Sequence, residues 1–130
     1  MNKAPEITAA PGTYLLLLSI GTPVAVRIGR LGIRRLHAGL YGYAGSARGP
    51  GGLAARLRRH ASTTDGKHWH IDYLMPYADI AGALVKQSCA RLECAWAAWA
   101  ATPAFADVAG LGASDCRCRS HMFFFGPMSN

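Results

Sequence analysis

The sequence predicts an α+β fold in which a small mixed or antiparallel β-sheet is flanked by helices. Short apolar runs of strand length alternate with glycine and proline, and one alanine-rich segment has the spacing of a helix. The 130 residues are enough for one hydrophobic core. We therefore expect a single domain over residues 12–130, preceded by a disordered lead-in of residues 1–11.

Apolar runs in the N-terminal third of the chain predict a series of short strands. Residues 14–20 form the first strand, and the alternation in residues 24–28 predicts the second strand of a hairpin. Residues 33–36 predict a short strand. Residues 40–44 predict a third main strand, which ends in a turn at residues 45–47.

The rest of the chain predicts helices and one or two further strands. Residues 53–61 place leucines at helical spacing, and residues 88–101 form the clearest helix, which Pro103 stops. Residues 80–85 fit either a strand or a weak helix. Residues 122–125 are apolar and predict a final strand.

The basic composition points to an acidic partner. The chain has 14 lysines and arginines against 7 acidic residues, which gives a net charge of +7. Eight arginines form two clusters around the glycine-rich segment: Arg27, Arg30, Arg34 and Arg35, then Arg48, Arg56, Arg58 and Arg59. This clustering favours a face that follows the phosphates of a nucleic acid. The alternative is a solvated surface in which arginine replaces lysine.

The hydropathy pattern argues against a membrane partner. The longest strongly apolar run, residues 15–20, is much shorter than the roughly 20 residues that a membrane-spanning helix needs. Residues 1–11 lack the basic segment and apolar core of a secretory signal. We expect a cytoplasmic protein, associated with the nucleoid if it binds DNA.

Five features form an ordered set along the chain. Two are tripeptides, Gly12-Thr13-Tyr14 and Tyr43-Ala44-Gly45, in which glycine allows close approach and tyrosine offers a hydroxyl. Arg56 and His60 lie four residues apart and share one face of the predicted helix. Glu93 is one of only two glutamates, and a carboxylate in so apolar a segment needs a metal, an arginine or an exposed position.

This set resembles the GIY-YIG nuclease superfamily, and in particular its Uri-type branch. The tripeptides stand where that family has Gly-Ile-Tyr and Tyr-Ile-Gly, with the middle residue changed in both. Arg56, His60 and Glu93 match the family's arginine, its histidine or tyrosine one turn later, and its metal-binding glutamate. Residues 68–74 and 114–121 resemble the Uri-type branch. The chain departs from the family in the longer link at residues 49–52 and in lacking a clear match for the asparagine that often follows the glutamate.

The resemblance implies a metal-dependent endonuclease that hydrolyses phosphodiester bonds in DNA, in repair or on branched structures. Glu93 would be the only protein ligand of one Mg²⁺ or Mn²⁺ ion, a cation that retains several waters. Arg56 would share the charge that develops on phosphorus. Tyr43 or Tyr14 would take a proton from the attacking water or position that water, and His60 would assist as a base or hold the phosphate.

Polar residues outside this set are candidates for contact with nucleic acid. They are Arg34, Arg35, Ser46, Arg48, Arg59 and His70. At strand spacing His68, His70 and Asp72 share one side. We expect this side to contact DNA or to brace the active site. The alternative is that it is the solvent-exposed side of a strand and has no specific function.

The four cysteines are Cys89, Cys94, Cys116 and Cys118. Two disulfides are disfavoured in a reducing cytosol, and we expect buried thiols that act as small apolar groups. The alternative is a structural zinc site, for which the candidate ligands are Cys94, Cys116, Cys118 and His121.

Two other functions compete with the nuclease. One is a nucleic-acid-binding module of the same fold without catalysis, and the other is a zinc-stabilised interaction domain. RNA is an alternative substrate, although the chain lacks the aromatic stacking sheet of an RRM. The small size suggests help with targeting, from a repair-enzyme partner or a homodimer.

Overall fold

The computed structural model describes residues 9–49, 51–61, 70–113 and 118–128, and it confirms the predicted α+β fold. The described strands form a five-stranded antiparallel sheet and a separate two-stranded sheet. The strands are β1 (Gly12–Ile20), β2 (Val24–Arg27), β3 (Ile33–Leu36), β4 (Gly39–Ala47), β5 (Asp79–Gln87), β6 (Ala106–Asp107) and β7 (Met122–Gly126). The α-helices are α1 (Gly52–Ala61) and α2 (Glu93–Ala101).

The main sheet has the order β5-β1-β4-β7-β6, so that β1 and β4 lie side by side at its centre. The register pairs Tyr14 with Gly45 and Leu16 with Tyr43. Because side chains alternate along a strand, Tyr14 and Tyr43 lie on the same face of the sheet, on a diagonal. The pairing of β1 with β4 therefore brings together two tripeptides that lie about thirty residues apart in the sequence.

Each face of the sheet has its own apolar cluster. On the tyrosine face, Leu16 and Leu18 pack with Leu53 and Leu57 of α1, and the small sheet and residues 70–77 complete this core. The other face packs against α2 through a smaller cluster of buried residues, in which three alanines, Ala44, Ala97 and Ala100, pack with Leu15 and Phe123. Alanines let a helix approach a sheet closely, which explains the alanines at the two buried positions of α2, 97 and 100.

The prediction that residues 24–28 form a hairpin with the first strand is wrong. β2 pairs with β3 and not with β1. The reason is that β1 is paired on both sides, with β4 and with β5, and offers no free edge to a further strand. The ambiguous segment at residues 80–85 is strand β5, at one edge of the sheet.

The turn predicted at residues 45–47 is also wrong. β4 continues through Ala47, and Gly45 is not among the glycines with a positive φ. Gly45 is required for another reason, because a Cβ atom there would lie 2.5 Å from the hydroxyl of Tyr14 and 2.6 Å from its Cζ.

Two further boundaries differ from the prediction. The helix expected from Ser88 begins at Glu93, since the Ser88 hydroxyl accepts a hydrogen bond from the amide of Ala90 (3.0 Å) and so competes with helix formation. Residues 70–73 form a 3-10 turn instead of a strand. Its buried residues are Ile71 and Asp72, and the amide of Leu74, which follows the turn, donates to the carbonyl of Ile71 (3.0 Å) at the three-residue spacing of a 3-10 helix.

The start of the domain includes part of the predicted lead-in. The carbonyl of Ala10 accepts a hydrogen bond from the amide of Leu53, and the carbonyl of Pro11 accepts one from Ser88 (both 3.0 Å). Residues 1–8 lie outside the described residues. No helix in the described part of the chain is long and apolar enough to cross a membrane.

Candidate active site

Four of the five predicted catalytic side chains meet on the tyrosine face of the sheet. The hydroxyl of Tyr14 lies 2.7 Å from Nε2 of His60 and also hydrogen-bonds Arg56. The ring centroid of Tyr43 lies 6.4 Å from that of Tyr14 and 6.2 Å from that of His60. Strands β1 and β4 supply the tyrosines, and α1 supplies Arg56 and His60 on one helix face, as the spacing predicts.

The chemistry of these groups fixes the direction of one hydrogen bond. A guanidinium only donates, so the Tyr14 oxygen accepts from Arg56. The hydrogen bond between the Tyr14 hydroxyl and Nε2 of His60 has its donor set by the tautomer of the imidazole. Burial lowers the pKa of His60 to about 4, and the nearby charges of Arg56 and Arg59 act in the same direction. His60 is therefore neutral at physiological pH.

Both tyrosines are neutral as well. Burial raises the pKa of Tyr14 far above its ordinary value, and Tyr43 raises it further, while Arg56 only partly opposes these effects. Burial raises the pKa of Tyr43 to about 12, again against the opposing charge of Arg56. The charge of Arg56 lowers both pKa values, but burial outweighs it and both hydroxyls stay neutral. Tyr14 is completely buried and Tyr43 is 7 % exposed, so Tyr43 is the tyrosine nearer to solvent.

Glu93 is the first residue of α2 and lies near the other site residues. Its negative charge contributes to the raised pKa of Tyr43. The Oε2 atom is buried, and no group in the described residues donates a hydrogen bond to it. A buried carboxylate oxygen without a donor costs free energy, and the N-terminal end of a helix offsets part of that cost. An oxygen in this state fits a hard divalent cation such as Mg²⁺.

Asp72 is a buried acidic neighbour of the site whose partner the sequence did not reveal. Its Oδ2 lies 2.8 Å from Nη2 of Arg59 in an ion pair, with 8 % of the Asp72 side chain exposed and 25 % of the Arg59 side chain. The charge of Asp72 also raises the pKa values of Tyr14, Tyr43 and His60. Arg59 thus has an acidic partner inside the protein, and its predicted contact with nucleic acid stays a prediction.

Gly112 is a second residue that sequence reasoning missed, although the glycine-rich segment around it was visible. Its φ is +73°, and a Cβ there would lie 2.9 Å from the ring of Tyr43. The amide of Gly112 donates a hydrogen bond to Nδ1 of His70 (3.0 Å). His70 therefore braces the loop that covers Tyr43, which is one of the two roles expected for it; its contact with DNA stays a prediction.

Other candidates for nucleic-acid contact have different surroundings. The guanidinium of Arg34 donates to the carbonyls of Leu31 (2.9 Å), Ile33 (3.2 Å) and Ala109 (3.4 Å), and so connects β3 to the segment after β6. Arg48 is exposed and donates to the carbonyl of Cys89 (2.9 Å).

Arg35 and Ser46 complete the set of predicted contacts. Arg35 is exposed on β3, where it lines a shallow surface pocket with residues of β2. Ser46 is half-buried on β4, and the alternation of the strand places it on the face opposite Tyr43 and Gly45.

Three of the four candidate zinc ligands come together beside Glu93. The ligand atoms of Cys94, Cys118 and His121 all lie within 4.8 Å of one another, and Cys94 Sγ is 3.6 Å from His121 Nε2. Burial lowers the pKa of His121, against the charge of Glu93 and a hydrogen bond to the backbone of Ala44. Cys116 lies outside the described residues.

The sequence comparisons place the chain in a family. Residues 13–130 match the family described as "Domain of unknown function DUF123". No curated protein and no solved structure shows significant similarity to the chain. Since the match covers nearly the whole sequence, the chain belongs to the DUF123 family.

Proposed function

We propose that this DUF123 protein is a divalent-metal-dependent endonuclease that hydrolyses phosphodiester bonds in DNA, with the chemistry of the Uri-type GIY-YIG nucleases that its sequence resembles. The observation that carries the proposal is the grouping of Arg56, Tyr14, His60 and Tyr43 near a buried carboxylate oxygen of Glu93 that has no hydrogen-bond donor among the described residues.

The metal requirement follows from Glu93. Its buried Oε2 is a hard anionic ligand, and the DNA phosphate and water would complete the shell of a Mg²⁺ or Mn²⁺ ion. When bound, such an ion polarises the phosphate and stabilises the charge of the transition state.

Arg56 and Tyr43 are the proposed catalytic residues that touch the substrate. Arg56 binds the phosphate oxygens through its planar guanidinium, which matches them in geometry and never loses its charge. Tyr43 is the less buried tyrosine, and with a pKa raised to about 12 it acts as a neutral hydroxyl that orients the attacking water.

Tyr14 and His60 are proposed to position Arg56. The Tyr14 oxygen accepts from Arg56 and also shares a hydrogen bond with Nε2 of neutral His60, so the guanidinium has a fixed partner inside the protein. A group held in place before the substrate binds needs no reorganisation during the reaction.

Binding to DNA without catalysis is the second candidate. The observation that favours it is the absence of a lowered tyrosine pKa, since burial outweighs the charge of Arg56 at both Tyr14 and Tyr43. The net charge of +7 supports DNA binding under either function. The remaining candidates for DNA contact are Arg34, Arg35, Ser46, Arg48, Arg59 and His70. We further propose a cytoplasmic location and targeting by a repair enzyme or a second copy of the chain.

The test is cleavage of labelled branched, flapped and single-stranded DNA and of supercoiled plasmid, with Mg²⁺ or Mn²⁺. Glu93→Gln removes the anionic ligand while retaining the shape of the side chain. Arg58→Ala, on an exposed position of the same helix as Arg56, is the matched control for loss of one positive charge. Cutting by the wild type and Arg58→Ala but not by Glu93→Gln supports the nuclease. Salt-sensitive binding of every substrate with no cutting by the wild type supports the binding module.

A further inference from the structure

The start of α2 and the segment before β7 bring two thiols and an imidazole together. Cys94 is in the first turn of α2, and Cys118 and His121 lie before or next to β7, about 25 residues later in the sequence. Their three ligand atoms lie within 4.8 Å of one another, and Cys94 and Cys118 are not joined by a disulfide. Two thiolates and an imidazole are the ligands that a soft divalent cation prefers.

The distance between Cys94 Sγ and His121 Nε2 matches a tetrahedral centre. Zn–S and Zn–N bonds of about 2.3 Å and 2.05 Å that meet at a tetrahedral angle separate the sulfur from the nitrogen by about 3.6 Å. The observed distance from Cys94 Sγ to His121 Nε2 is 3.6 Å.

The histidine is also oriented as a metal ligand requires. Nε2 faces the sulfur of Cys94, and the ring hydrogen-bonds the backbone of Ala44. Metal-binding histidines commonly use their second nitrogen in this way, which fixes the ring and its tautomer. The backbone of His121 is held as well, because its carbonyl accepts the amide of Ala44 (2.8 Å) and its amide donates to Leu111 (2.8 Å).

We propose that Cys94, Cys118 and His121 are ligands of a zinc ion, at a centre separate from the carboxylate of Glu93. Zinc binds at the thiolates and the imidazole, whereas Mg²⁺ or Mn²⁺ selects the oxygen of Glu93. The adjacent residues Glu93 and Cys94 thus serve two different metals. By joining the first turn of α2 to the segment before β7, the zinc ion fixes the helix end that carries Glu93.

The first test is the metal content of protein purified without added zinc, together with the Co²⁺ spectrum of the metal-free protein. We expect about one zinc per chain and, on titration with Co²⁺, the charge-transfer absorption of cobalt bound to thiolates. The Cys94→Ser and Cys118→Ser variants should lose the metal. Cys89→Ser, which changes an exposed thiol outside the cluster, should retain it.

The Co²⁺ spectrum of the wild-type protein tests the proposal even if the cysteine variants do not fold. The proposal would be overturned if purified wild-type protein contained no zinc and showed no cobalt–thiolate absorption when Co²⁺ was added. Equal zinc in wild type, Cys94→Ser and Cys118→Ser would overturn it too. The Glu93→Gln variant should keep its full zinc content even if it no longer cleaves DNA. The zinc proposal and the nuclease proposal can therefore be tested separately.

Discussion

The tyrosine site and the thiol cluster are built in different ways. The tyrosine site stands on the central strand pair, where the register of β1 against β4 places Tyr14 opposite Gly45. The thiol cluster joins the first turn of a helix to a segment that is distant in sequence. The first is held by hydrogen bonds and burial within the protein, while the second groups two thiols and an imidazole within 4.8 Å of one another. Strand register therefore positions one site, and we propose that a bound zinc ion fixes the other.

The largest expected effect is on cleavage by the Arg56→Ala variant. Removing a preorganised donor to a transition-state oxyanion lowers the rate by about 10² to 10³. Zinc content should not change, because Arg56 belongs to the tyrosine site. Initial cleavage rates and metal analysis on one protein preparation check both statements. A variant that lost zinc along with cleavage would mean that the two regions are not independent.

Acid should destabilise the tyrosine site through His60. Its pKa is lowered by burial from 6.5 in the unfolded chain to about 4 in the folded protein. The unfolded state therefore binds the proton more readily, and stability that is present above pH 6.5 is lost as the pH falls toward 4. The loss amounts to up to about 3 kcal/mol. Urea unfolding between pH 7 and pH 4 measures it, with His60→Gln as the comparison.

The contribution of His60 is the difference between the two proteins over that pH range. Other groups titrate in both proteins, but the wild type should lose more stability than His60→Gln. Parallel curves for the two proteins would show that His60 is not buried as a neutral ring.

A smaller effect is expected from Gly45→Ala. The added Cβ would meet the hydroxyl and Cζ of Tyr14 at 2.5 and 2.6 Å, and the buried ring has little room to move. Overpacking of this kind costs about 1–3 kcal/mol. Gly21→Ala is the matched control, because a Cβ there meets no atom within 4 Å. Thermal unfolding of the two variants should differ clearly, and equal midpoints would contradict the packing of Tyr14 against β4.

An effect of similar size is expected on the stability of Tyr14→Phe. This change removes the hydroxyl that lies between Arg56 and His60 and leaves Nε2 of His60 without that hydrogen bond, at a cost of about 1–3 kcal/mol. Tyr41→Phe, which removes a partly buried hydrogen bond to the carbonyl of His37 (2.8 Å), is the control. Denaturant unfolding should rank Tyr14→Phe below Tyr41→Phe. The reverse order would indicate that the hydrogen bonds of Tyr14 are weak.

Sequence patterns predicted the parts of the molecule that depend on residue spacing within one segment. The apolar runs predict strands β1 and β4, and the spacing of the leucines predicts helix α1. The i, i+4 spacing places Arg56 and His60 on one face of that helix. The pairing of β2 was missed because it depends on which strand edges are free. The pairing of Asp72 with Arg59 and the cover that Gly112 forms over Tyr43 were missed because they join segments that no local pattern connects.

We propose that the Oε2 atom of Glu93 and the tyrosine site form one metal-dependent centre. The most direct test is the rate of DNA cleavage by excess wild-type and Glu93→Gln protein as Mg²⁺ is titrated, with DNA binding measured alongside. We expect metal-dependent cutting by the wild type, and no cutting by a Glu93→Gln protein that still binds DNA. Equal metal-dependent cutting by both proteins would contradict it.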